Sequence, residues 1–256
     1  MIKIINPQQF QKLPDAILFD TDNTLYPYDP AHKMAMKAVR EKVTRTFAIT
    51  PEQFDLAFAQ ARNEVKGRLK DTASSHNRLL YLQRMLEIIG LGSQVLLALD
   101  FEQTYWRTFL SHAELFDGVK DLLDDLRLLD IPTAIVTDLT AQIQFRKIVY
   151  FGLDHYFDFI VTSEEAGYDK PHEAPFQIAI RKMNPKGSNI WMIGDNEVND
   201  IGGAKQKIGA ITLQKIHDGV AVGTGENTPD CVFSEFSELR KLISGISKSK
   251  SGINAA

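Results

Sequence analysis

The chain has 256 residues, 44% of them hydrophobic, enough for one large core or a core with an insertion. Its net charge of −4 offers no basic field to hold nucleic acid, and no apolar stretch approaches the ~20 residues that cross a bilayer. The single cysteine, Cys231, excludes an internal disulfide and fits a reducing compartment, so the expectation is a cytoplasmic protein without membrane or nucleic-acid partner. Met1-Ile2-Lys3-Ile4-Ile5-Asn6-Pro7 is too short and interrupted to read as a signal sequence, and nothing in the sequence sets an oligomeric state.

In chain order, the apolar run Ala16-Ile17-Leu18-Phe19 predicts a buried strand that ends at Asp20. From Pro30 to His112 the pattern changes to helical spacing, as in Phe54, Leu56, Phe58 and Ala61, or Leu79, Leu82, Leu86 and Ile89. Thr72-Ala73-Ser74-Ser75 and Gly90-Leu91-Gly92 punctuate this stretch, which predicts an insertion of roughly four helices over residues 30–112. Helix and strand then alternate: helix 119–129, strand 131–137, helix 142–151, strand 157–162, helix 173–183, strand 189–193, helix 199–207, strand 210–214 and a short strand at 231–233. Such alternation predicts an α/β fold, a doubly wound parallel sheet built from residues 1–29 and 113–246. The stretch Ser247-Lys248-Ser249-Lys250-Ser251-Gly252 lacks apolar residues to offset ordering entropy, and the end at 247–256 is expected to be disordered.

Carboxylates stand where two of these strands end. Asp20 and Asp22 follow the first strand, and Asp195 and Asp200 follow Ile190-Trp191-Met192-Ile193. An acid at the end of a buried strand is costly to ionise without a partner, and several converging acids repel one another without a cation. A hard divalent metal with oxygen ligands is the simplest compensation, and magnesium suits a site shared with phosphate.

Four motifs together resemble the haloacid dehalogenase superfamily over nearly the whole chain. They are Asp20-Thr21-Asp22-Asn23-Thr24, Thr137 after Ala134-Ile135-Val136, Lys170-Pro171, and Gly194-Asp195 with Asp200. The resemblance implies a Rossmann-like core, with the helical insertion acting as a substrate-selecting cap, and a metal site for Mg2+. It implies Asp20 as nucleophile forming an aspartyl-phosphate and Asp22 as general acid and base. Thr137 and Lys170 would hold the phosphoryl oxygens. Asp20, Asp195 and the backbone carbonyl of Asp22 would bind the metal, with Asp200 either a ligand through water or a support for Lys170. Nearby negative charge is expected to keep Asp22 protonated.

One position departs from the family: Asp138 stands where asparagine is common, and an ionised aspartate only accepts hydrogen bonds. Asp138 either turns away from the phosphate or meets a donor on the substrate. In the insertion, Ser74-Ser75-His76-Asn77-Arg78 is the most polar cluster, and His76 and Arg78 are candidates for a second polar group of the substrate, against a simple capped helix start. Tyr105, Trp106 and Phe109 read as core of the insertion.

The function expected is a magnesium-dependent phosphomonoesterase acting on a small phosphorylated metabolite, such as a sugar phosphate. A phosphomutase would use the same residues. A 2-haloacid dehalogenase would need neither Asp22 nor a metal. A catalytically silent binding module would keep the fold without turnover.

Overall fold

The computed structural model describes residues 2–253, those from 249 onward by backbone alone. Strand β2 (Ala16–Phe19) is buried at every residue, which is why it reads as an unbroken apolar run rather than an alternating one. Around it lie β3 (Thr133–Thr137), β4 (Phe159–Thr162), β5 (Ile190–Gly194), β6 (Ile211–Lys215), β7 (Cys231–Phe233) and a first strand β1 (Ile2–Ile4). Their order in the sheet is β1-β7-β6-β5-β2-β3-β4. All pair in parallel except β1, which joins the edge antiparallel to β7. The chain leaves β2 toward β3 and β4 on one side, then returns to build β5, β6 and β7 on the other. That reversal opens a crevice at the carboxyl ends of β2 and β5, where such sheets bind ligands.

Alternate strand residues pack the two faces. Ala16, Leu18, Ala134, Val136, Val161, Ile190 and Met192 form one core. It includes Phe176, Ala179 and Met183 of helix α8 (Glu173–Met183) and Ala204 of α9 (Gly203–Ile208). On the opposite face Trp191 meets the ring of Phe10 edge-on, and Phe19 meets Phe157. Between β2 and β5 in sequence also run α5 (Val119–Leu128), α6 (Ala141–Tyr150) and the short α7 (Ser163–Ala166). A final helix, α10 (Phe236–Ile253), is tied to α5 by Arg240, which donates to Asp121 and Asp125.

The chain divides into two compact units: one ends at Tyr26 and resumes at Leu115, and the other is Pro27–Glu114. In the first, the Leu25 carbonyl accepts from the Phe116 amide at 2.9 Å, joining the two crossings of its own chain. The second is helical: α1 (Tyr28–Phe47), α2 (Pro51–Leu69), α3 (Arg78–Ile88) and α4 (Val95–Ser111). Each buries a stripe at three- and four-residue spacing, such as Ala31, Ala35, Val39 and Val43, or Phe54, Ala57, Ala61 and Val65. Helix α2 starts with a capping box between Thr50 and Gln53, and Asn77 caps α3 by accepting from the Leu79 amide. Trp106 and Phe109 are buried within this unit, and Tyr105 is buried with its hydroxyl bonded to His32 at 2.7 Å.

Three expectations are corrected. Strand β1 was not foreseen, because a short half-exposed edge strand carries little hydrophobic pattern. Leu56 is 74% exposed: two residues along from Phe54, it lies across the helix from the buried stripe. The end at 247–253 does not form a separate disordered tail but continues α10 to Ile253. That helix is anchored upstream by Phe236, Leu239, Ile243 and Ile246, and extending a formed helix costs far less than starting one. The rest of the expected tail, 254–256, lies outside the described residues.

Phe176 is fully buried between β3, β5 and α9, so Phe176→Ala leaves a cavity that rigid strands cannot close. It is expected to destabilise the sheet-containing unit by about 3–5 kcal/mol in urea unfolding. A loss below about 1 kcal/mol would show that the site relaxes.

Candidate active site

Register brings the site together. Phe19 pairs with Ile135 on one side and Ile193 on the other, so Asp20 leaves β2 level with Val136 and Gly194. Thr137 and Asp195 follow one residue later on the flanking strands. The Asp20 amide donates to the Ile193 carbonyl at 2.9 Å, which holds this loop start to β5. Asn23 then takes φ 62°, a left-handed conformation that asparagine tolerates, and turns the chain back.

Lys170 sits at the centre with its side chain 2% exposed. Its ammonium donates to Asp20 Oδ1 at 2.7 Å, to Asp200 Oδ1 at 2.6 Å and to the Val136 carbonyl at 2.9 Å. All three of its protons are used, and the flanking carboxylates hold its pKa well above the ordinary lysine range despite burial. Asp200 is braced by the Asn196 amide at 3.0 Å. Gly194 is needed beside it, because a Cβ there would overlap the Asp200 side chain. Thr24 donates to the other oxygen of Asp20 at 3.0 Å and reaches toward Asp195 at 3.5 Å.

Burial pushes Asp20 up to about 7, with Lys170 opposing and Asp200 and Asp22 adding to the rise. Burial also pushes Asp195 up to about 8, helped by the charges of Asp20 and Asp200. Oxygens of Asp20, Asp195 and Asp200 lie within 4.8 Å of one another. Three carboxylates facing one ammonium leave an excess of negative charge, and an all-oxygen donor set suits a hard divalent cation. The residues therefore fit the metal expected from the sequence.

Asp22 stands apart from that cluster. Lys147, on the buried face of α6, donates to both of its oxygens at 2.8 and 3.0 Å. The Tyr26 hydroxyl donates to Asp22 Oδ1, and Thr21 Oγ1 lies 3.3 Å from the same atom. Burial raises the pKa of Asp22, but Lys147 and these hydrogen bonds outweigh it and lower the net value. The surroundings of Asp22 thus favour its ionised form, against the expectation that nearby negative charge would keep it protonated. Lys147 and Tyr26 were missed in the sequence, although a lysine between Gln144 and Ile148 on an apolar helix stripe is a signal in itself.

Thr137 is 2% exposed, its hydroxyl 2.8 Å from that of Thr21 and accepting from the Gln144 amide at 2.8 Å. Asp138 is engaged by the protein itself. Its Oδ1 accepts from Ser163 Oγ and from the Lys170 backbone amide, both at 2.9 Å, so it fixes the loop that carries Lys170. Of the two readings of this departure, these contacts support the one in which Asp138 turns toward the loop.

The structure therefore brings Asp20, Asp22, Thr137, Lys170, Asp195 and Asp200 to one sheet edge, with Asp138 behind. His76 and Arg78 belong to the helical unit. Arg78 opens α3, donates to the His76 carbonyl at 2.7 Å and to the Tyr28 hydroxyl, and lies over the rings of Tyr81 and Tyr105.

The family profile of haloacid dehalogenase-like hydrolases matches residues 14–206. A ribulose-1,5-bisphosphate 5-phosphatase of Halopiger xanaduensis is 35% identical over 190 residues, 74% of this chain and 80% of that one. A glyceraldehyde 3-phosphate phosphatase of Methanopyrus kandleri is 29% identical over 199 residues, 78% of this chain and 82% of that one. A haloacid dehalogenase-type hydrolase of Bacillus subtilis, solved bound to magnesium, superposes with a TM-score of 0.65 at 22% identity. That superposition covers 89% of this chain and 97% of that one. The chain belongs to the haloacid dehalogenase-like hydrolases. Within them it falls with the phosphatases.

Folding raises the pKa values of Asp20 and Asp195 above their ordinary 3.8, to about 7 and about 8. Between the ordinary value and these, the folded state binds more protons than the unfolded chain. Metal-free stability is therefore expected to be highest at the acid end of the window and to fall as pH rises from about 4 to 8. A divalent cation competes with those protons, so Mg2+ should raise Tm more at about pH 8 than at about pH 6 in thermal melts. A shift independent of pH would remove these carboxylates from the ligand set.

Proposed function

We propose that this enzyme is a magnesium-dependent phosphomonoesterase for a small sugar phosphate or related metabolite, working through an aspartyl-phosphate on Asp20. The observation that carries the reading is the contact of Asp20 with Lys170 at the carboxyl edge of β2, beside Asp195 and Asp200. A carboxylate there faces the crevice as a nucleophile, with a fixed cation to receive the phosphoryl charge. The names of the relatives, phosphatases of a sugar bisphosphate and a triose phosphate, support the substrate class.

In the first half-reaction an Asp20 oxygen attacks phosphorus, the bond from phosphorus to the leaving oxygen breaks, and Asp22 gives that oxygen a proton. In the second, water attacks the phosphorus, Asp22 takes its proton, and the Asp20–phosphorus bond breaks to release inorganic phosphate. Lys170 offsets charge on the equatorial oxygens, and the Thr137 hydroxyl, oriented by Gln144, donates to one of them. Mg2+ held by Asp20, Asp195, the Asp22 backbone carbonyl and Asp200 would supply the charge that lets a phosphate dianion approach these carboxylates. Asp200 supports this mainly by fixing Lys170.

The helical unit would act as the cap that selects substrate. Arg78 supports this, because its described partners are a carbonyl, a hydroxyl and aromatic faces rather than a carboxylate, leaving its charge for an anion. His76 would stand beside it. A working place in the cytoplasm fits a phosphorylated metabolite as substrate, and among the described residues no helix is long and apolar enough to cross a membrane. The donors gathered on Asp22 favour hydrolysis over dehalogenation, which does not need that acid.

Asp20→Asn is expected to reduce release of phosphate from an aryl phosphate by more than about 1,000-fold with Tm within a few degrees of the native protein. Excess chelator should abolish the native activity, and full activity in chelator would end the reading. Arg78→Ala is expected to raise KM for a sugar phosphate by about tenfold while leaving a small aryl phosphate unchanged. Steady-state kinetics on both substrates decides it, and equal effects on the two would return Arg78 to a packing role.

A further inference from the structure

We propose that Lys147 is the positioning residue for Asp22, a brace that fixes which oxygen of that carboxylate exchanges a proton with the reacting group. The proposal deepens the reading above and rests on its assignment of Asp22 as acid and base. Lys147 has a side chain 2% exposed, whereas the Asp22 side chain is 33% exposed. A buried ammonium is costly, and a well-packed apolar residue on the same helix face would serve stability equally well. The charge at this position therefore points to a use.

Its placement identifies that use. Of the acids of the site, Asp20 and Asp200 share Lys170, Asp195 has no ammonium within pairing distance among the described residues, and Asp22 takes Lys147. The donors are unevenly spread over Asp22. Oδ1 takes Lys147, the Tyr26 hydroxyl and Thr21, while among the described residues Oδ2 takes only Lys147, at 3.0 Å. The carboxylate is thus locked in rotation, with Oδ2 keeping lone-pair capacity for a proton. Tyr26 is itself seated: its ring lies 4.8 Å from that of Phe151, and the Lys147 ammonium stands 5.8 Å from its centre. Helix α6 supplies a second contact to the same edge, since Gln144, one turn before Lys147, donates to Thr137. One helix face thereby aligns the acid and the phosphate-binding hydroxyl. Lys147 exchanges no proton; it acts through Asp22.

A group acting through a general acid has a signature that a packing residue lacks. Its loss is felt most when the leaving group needs protonation. The test compares Lys147→Met, Lys147→Arg, Asp22→Asn and Asp22→Asn/Lys147→Met on glycerol phosphate and on 4-nitrophenyl phosphate, with magnesium present. Lys147→Met is expected to lower kcat on glycerol phosphate by about 100-fold with KM little changed. Formation of the aspartyl-phosphate from the nitrophenyl ester, read as a burst of nitrophenol, should fall by less than about tenfold. Lys147→Arg, which can still pair with a carboxylate, should recover most of the loss. The double variant should fall no further than Asp22→Asn alone.

Equal losses on both substrates, or losses that multiply in the double variant, would make Lys147 a packing residue and overturn the proposal. So would native turnover in Lys147→Met. If Asp22→Asn itself turns over glycerol phosphate normally, the underlying assignment of Asp22 fails instead. Should Lys147→Met not fold, Lys147→Gln, which removes the charge while keeping a polar side chain, and Tyr26→Phe carry the test. A native ratio of rates on the two substrates in both variants overturns the brace.

Discussion

Everything at the carboxyl edge of this sheet depends on one buried ammonium. Lys170 is held by Asp20, Asp200 and the Val136 carbonyl, and each of those belongs to a different stretch of chain. Two ionised acids this close inside a protein oppose one another strongly without such a partner, and a buried lysine without one tends to lose its charge. Each of these groups thus lowers the cost of burying the others. That also explains why so much of the surrounding chain is committed to aiming these groups. Asp138 accepts from the Lys170 backbone amide, Asn196 donates to Asp200, and Gly194 leaves room for the Asp200 side chain.

Within a few ångströms the same residue type is driven in opposite directions. Asp20 and Asp195, deep in the site among other acids, have their pKa values raised, while Asp22 has its value lowered by Lys147. Environment alone separates them, as in other enzymes where two carboxyl groups take different tasks. An ionised Asp22 is the form that accepts a proton from water. In the reaction proposed above it must be protonated before it acts as an acid, and an incoming phosphate dianion would favour that step by opposing the field of Lys147.

How far the sequence discloses this site follows the path of the chain. Asp20, Asp22, Thr137, Lys170 and Asp195 were legible because each sits at a strand end or in a loop that punctuates the pattern, and Asp200 because it stands in the first turn of the next helix, five residues after Asp195. Lys147 was not. It lies inside a helix, where a period of 3.6 assigns it to the buried face, yet burial of a lysine makes sense only when its distant partner is known. Asp138 was noticed as a departure, but its target, the loop around Lys170, is 32 residues away and came only with the structure. The parallel order of the core strands was readable from alternation with helices. Strand β1 was not, since an edge pairing with β7 near the other end of the chain leaves no local trace. Leu56 shows the converse error, an apolar residue counted toward a core from which the helix turns it away.

The hydrogen bond between the Leu25 carbonyl and the Phe116 amide closes the sheet-containing unit across the point where the helical unit is spliced in. The chain departs and returns through one small gate, already latched by its own backbone. From the sheet's side, the 88 residues between Tyr26 and Leu115 behave as a single long loop. Loop-closure entropy grows only slowly with length, so the core has little stake in what that loop contains. A different set of helices, or a short turn, could be exchanged there while every strand register and the Lys170 cluster stay in place. Such a joint separates the make-up of the inserted helices from the geometry of the acids and lysine at the sheet edge.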